Sequence, residues 1–162
     1  MRFIDTLLHH CQDGLERRRN LPFLRAAMAA CAMVSCADGN VSFAERVRLD
    51  QILETLDRLK VFDPHVGVDL FNEFMDAIFE DSKIGHELSM DALMEGAPDI
   101  ETRELVIRIC LAISEMTTGP DGKRALGEQI EIVGLCNRLG VNPENCNLYV
   151  DNPDFLGPAP NV

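Results

Sequence analysis

Tryptophan is absent from this 162-residue chain and tyrosine occurs once, whereas Leu, Ala, Met and Ile are common, a balance that leans toward helix. Positive charge is scarce. Fifteen Lys and Arg stand against 27 Asp and Glu, for a net charge of −12 and an isoelectric point near 4.6. That deficit argues against nucleic acid as a partner, because binding it depends on Lys and Arg neutralising phosphates. Cations or basic proteins fit the charge better. No apolar run approaches the ~20 residues of a membrane span. Acids and histidines interrupt the apolar residues near the N-terminus, so no signal peptide is expected. No C-x-x-C pair occurs among the six cysteines at 11, 31, 36, 110, 136 and 146. Without an extracellular signal they read as reduced thiols of a cytoplasmic protein.

What is present fits a soluble domain with a real core, at 46% hydrophobic and 26% charged residues. Helical signals follow one another with no strand signal between them. A first helix is expected from Arg2 to about Arg19, its last turn being Arg17-Arg18-Arg19, which would complement the helix dipole. Contact of that run with an anionic membrane or an acidic partner is the sharper alternative. Pro22 should open a second helix, with Phe23, Leu24, Ala27, Met28, Cys31 and Val34 on one stripe. A third begins at Ser42 and a fourth at Pro64. A shorter one covers about Ile84 to Met94, and a long one starts at Pro98. The last long helix ends at Leu139, where Gly140 suits a C-terminal cap, and a short turn follows Pro143. The expected class is all-α, with residues 1–150 as the domain and 151–162, rich in proline, as an extended or disordered tail.

The helices carry an internal duplication. Asp38-Gly39 recurs as Asp121-Gly122, an offset of 121 − 38 = 83. The same offset takes Met28 to Leu111, Met33 to Met116, Glu45 to Glu128, Leu49 to Ile132, Ile52 to Leu135 and Leu56 to Leu139. Two helical hairpins, at residues 23–59 and 106–142, are therefore expected to pack around one core.

The stretch CADGNVSFAERVRLDQIL, residues 36–53, is where structure and chemistry compete. Asp38-Gly39 followed by Glu45 resembles the second half of an EF-hand loop, but Val34 and Cys36 would then fill two positions that need oxygen ligands. As an EF-hand it fails. Ser42-Phe43-Ala44-Glu45 is also a capping box, in which Ser caps the helix and Glu bonds back to it. In the second copy Ala125 replaces Ser42 and cannot cap, yet Asp121 and Glu128 keep the spacing of seven. A dipole preference for Glu in the first turn would also explain Glu128, but retention of both acids where the cap is lost turns the reading toward oxygen ligands for a cation.

At these residues the chain resembles the TerB-like tellurite-resistance proteins. The resemblance rests on CAMVSCADGNVSFAE, on LKVFD at 59–63, on Ile84-Gly85 with Ser89-Met90 downstream, and on DGKRALGEQIEIVGLCNRLGVNP. It implies a compact bundle of about seven helices built by duplication, without catalytic activity. It also implies a divalent metal ion, calcium, manganese or zinc, held by the acids that here are Asp38, Glu45, Asp121 and Glu128. The implied partners are other proteins, a membrane-associated stress complex among them. The family's first turn usually carries two successive acids, where this chain has Ala44 before Glu45. Its second loop is rich in Asp, where this chain has Lys123 and Arg124, so the second turn should bind a cation more weakly. The alternative is a helical protein-interaction module in which the Asp-Gly elements are only turns and caps.

Other chemistry is poorly supported. His86-Glu87 begins an H-E-x-x-H zinc motif, but Met90 takes the second His position. His9-His10-Cys11 are adjacent, so on a helix they face different ways. No phosphate-binding loop or serine-nucleophile elbow occurs. Tellurium oxyanions react with thiols, which brings the cysteines into question. Cys31, Cys110 and Cys136 fall in apolar helical runs and are expected in the core. Cys146, after the last long helix, is the expected exposed thiol.

Overall fold

The computed structural model describes residues 2–37, 39, 41–114 and 126–146. Among them six α-helices and a 3₁₀ turn follow one another, with no strand. The helices are α1 (Arg2–Cys36), α2 (Phe43–Thr55), α3 (Pro64–Glu80), α4 (Ser82–Gly96), α5 (Ile100–Ser114) and α6 (Leu126–Leu139), and the turn is Pro143–Cys146. The all-α expectation holds.

The expected break at Pro22 does not. The first two predicted helices form one helix of 35 residues with Pro22 inside it. A proline in mid-helix removes a backbone hydrogen bond and costs about 3 kcal/mol. The acceptor left over is the carbonyl of Arg18, an exposed residue that water can reach. Burial of the turns that follow offsets the rest. This merger also displaces Arg17-Arg18-Arg19 from a last helical turn to mid-helix, where there is no C-terminus to complement.

From Phe23 to Val34, α1 is the axis of the core, with Phe23, Leu24 and all of Ala26 to Val34 at most 3% exposed. A helix apolar on every side must be enclosed by others, and α3, α4, α5 and α6 all pack on it. Full burial of a Leu, Met or Phe side chain contributes about 1.5–3 kcal/mol, so Phe23, Leu24, Met28 and Met33 anchor this contact. Where α4 ends, Gly96 meets the Pro22 carbonyl so closely that a Cβ there would overlap it. α2 packs on α3 and α5, and the 3₁₀ turn on α5.

Caps and arginines fix the ends. Asp63, Asp81 and Asp99 accept backbone N–H bonds from His65, Ile84 and Thr102 at 3.0, 3.1 and 2.7 Å, opening α3, α4 and α5. Gly140 (φ 68°) closes α6 as expected, with the Val141 N–H on the Cys136 carbonyl at 2.9 Å. Arg48 donates to the Ala112 carbonyl at 2.8 Å, tying α2 to the last turn of α5. Arg103 spans the Ala97 and Leu139 carbonyls at 2.9 and 3.1 Å. No described helix is long and apolar enough to cross a membrane. The proposed tail at 151–162 lies outside the described residues.

Candidate metal centre

Ser42 and Glu45 build the entrance to α2. Ser42 is extended (φ −71°, ψ 158°), and its Oγ accepts the Glu45 backbone N–H at 3.1 Å. Glu45 Oε1 accepts in return from the Ser42 backbone N–H at 3.5 Å and from its hydroxyl at 3.2 Å. The expected capping box is present. It uses only one carboxylate oxygen. Glu45 is 4% exposed, and its Oε2 is enclosed with no hydrogen-bond partner among the described residues. A buried acceptor left so costs about 1–3 kcal/mol, and more if charged. Capping requires no such second oxygen, whereas a hard cation takes carboxylate oxygens as ligands. Glu45 Oε2 is thus one oxygen donor of the kind a divalent cation takes, left over by the cap.

Glu128 has the same place in α6. α2 begins at Phe43 and α6 at Leu126, so each glutamate is the third residue of its helix, where the positive end of the dipole favours an anion. Glu128 is fully buried. Asp38 and Asp121, with Lys123, Arg124 and Ala125, lie outside the described residues. Among the described residues no group of three or more His, Cys, Asp or Glu stands together as a ready metal site.

One acid near the end of α1 was not legible in the sequence. The Cys36 thiol, at the end of α1, is pushed up to about 11, by burial first and then by the Asp76 carboxylate. Asp76 belongs to α3, and no spacing along the chain links it to the Asp38-Gly39 turn. Only the packing of α3 on α1 brings it near.

Of the other candidates, His86 points Nδ1 at the Ser82 carbonyl (2.6 Å) within its own helix, and His9, His10 and Cys11 are exposed on α1. Cys31, Cys110 and Cys136 are buried as expected. A hydrogen bond with Cys31 and burial push the Cys110 thiol well up, so it is a poor nucleophile in the folded protein. Cys146 contradicts expectation. It is 3% exposed, because the 3₁₀ turn folds back on α5. Arg108 holds the Asn145 carbonyl at 2.7 Å, and the Cys146 sulfur reaches the Glu104 carbonyl at 3.8 Å. The exposed thiol is Cys11.

Two comparisons with known proteins point to one family. A family model described as tellurite resistance protein TerB matches residues 24–149. A tellurium resistance protein TerB from Alcaligenes sp is 27% identical over 116 residues, a match covering 67% of this chain and 95% of that protein. No solved structure matches the chain.

Proposed function

Because the chain belongs to the TerB family of tellurite resistance proteins, we propose that it serves tellurite resistance without catalysis, by binding a divalent cation and docking on partner proteins. The observation that carries the cation is Glu45 Oε2, a buried carboxylate oxygen for which the capping box has no use. Asp38 and Glu45 would hold the ion at the first turn, and Asp121 and Glu128 at the second. The ion would supply positive charge that stabilises the buried carboxylates and ties each turn to the helix after it. Lys123 and Arg124 make the second turn the weaker.

The duplication supports two related sites. α2 packs on α5 and α6 on α1, as a two-fold relation between the halves would have it, although α5 also packs on α6 where α1 has no comparable contact with α2. Leu49 and Ile132 are both buried, as are Met28 and Leu111. The competing possibility, an interaction module without metal, is favoured by the completeness of the capping box. Calorimetric titration of chelator-stripped protein with calcium, manganese and zinc separates the two. Heat of binding with roughly micromolar affinity, about 8 kcal/mol of free energy, is the expected result. Silence with all three ions would leave the interaction module.

A further inference from the structure

The first half of α1 stands outside both the core and the family match, which begins at residue 24. None of residues 2–19 is buried, and Phe3, Ile4, Leu7, Leu8 and Leu15 are 51–78% exposed. Ile4, Leu8, Cys11 and Leu15 are spaced by four, three and four residues. That is the seam of a coiled coil, on one side of a helix that nothing among the described residues covers. We propose that this half of α1 pairs, antiparallel, with the same segment of a second copy of the chain.

Charge and shape select this occupant and this orientation. Asp5, Asp13 and Glu16 precede Arg17, Arg18 and Arg19 along the helix. Parallel pairing would set the two arginine runs against each other. It would also bring both cores to one end of helices whose axes lie only ~8–10 Å apart. Antiparallel pairing sends the cores to opposite ends. Aligning Asp5 with Arg19 of the second copy makes two symmetric ion pairs at the seam's flanks. The same register seats Cys11 against Leu15 of the second copy and Leu7 beside its Leu21, itself 40% exposed. Gly14 then faces Gly14 at the crossing, where the absence of side chains lets the helices approach. Arg18 lays its alkyl stem over Leu8 of the second copy while its charge stays in water. An anionic membrane is the poorer occupant, since residues 2–19 carry only four Arg against three acids on a chain whose net charge is −12.

Sedimentation equilibrium of the full, reduced chain tests the pairing. The mass should rise with concentration from 18.0 kDa toward twice that value. The double variant Leu8→Glu, Leu15→Glu should stay at the monomer mass with an unchanged helical spectrum, because neither side chain belongs to the core. Asp5→Arg should weaken association roughly tenfold, and adding Arg19→Asp should restore it. A chain that remains monomeric at millimolar concentration overturns the proposal. So does a dimer indifferent to the leucine pair or to Asp5→Arg. A monomer that co-sediments with phosphatidylserine vesicles through the same leucines overturns it too.

Discussion

The two carboxylate oxygens of Glu45 have different surroundings. Oε1 closes the capping box with Ser42, and Oε2 lies buried beside it. A cap alone would be served as well by glutamine. Ser42→Ala should therefore cost about 1 kcal/mol in urea unfolding whether or not metal is added, since only the cap is lost. Cysteine reactivity is decided at the same scale. Cys11 should alkylate within minutes in native protein, while Cys31, Cys110, Cys136 and Cys146 resist until denaturant is added, as mass spectrometry of labelled protein would show. Rapid labelling of Cys31 would contradict the burial of α1. The sequence made three of these four buried thiols legible, because they sit in apolar helical runs. Cys146 was hidden, because its burial depends on Arg108 drawing the 3₁₀ turn onto α5 from 37 residues away.

Helices α2, α3 and α5 were legible from Ser42, Pro64 and Pro98 as starts and α6 from Gly140 as its stop, whereas the caps Asp63, Asp81 and Asp99 came to light only in the structure. α1 was misjudged at Pro22 for a physical reason. Proline disfavours the interior of a helix by about 3 kcal/mol, and only the tertiary contacts of the next twelve residues outweigh it. Those contacts require Gly96 against the Pro22 carbonyl. Gly96→Ala should separate α4 from α1 and destabilise the fold by about 1–3 kcal/mol, read as a lower urea midpoint with unchanged slope. Equal stability of this variant would show that the two helices do not meet as described. The equivalent places of Glu45 and Glu128 in their helices were legible from the shared spacing, whereas Asp76 was not, since only the packing of α3 brings it near the end of α1.

For the whole molecule, burial of the thiols sets the response to pH. Burial, with the neighbouring Cys146 and Cys110, pushes the Cys136 thiol up to about 12 from an ordinary 9.0, and Cys36 rises to about 11. Both protons are held more tightly in the folded state. The stability they lend is thus complete below pH 9 and lost as pH climbs toward 11 and 12. Urea midpoints should hold level up to about pH 8 and fall above pH 9, and Cys136→Ala should reduce that fall. A bound metal ion would act on the same folding equilibrium, because an ion that binds only the folded chain raises its stability by RT ln(1 + [L]/Kd). Such a rise needs Glu45 as a charged ligand, while the helix cap does not. The most direct measurement is therefore the melting temperature of wild type and Glu45→Gln, each with and without calcium or manganese. Wild type should melt several degrees higher when a hundredfold excess over Kd, worth about 2.7 kcal/mol, is present. Glu45→Gln should keep its metal-free melting temperature and lose the rise, and an identical response from the two proteins would contradict a cation at Glu45.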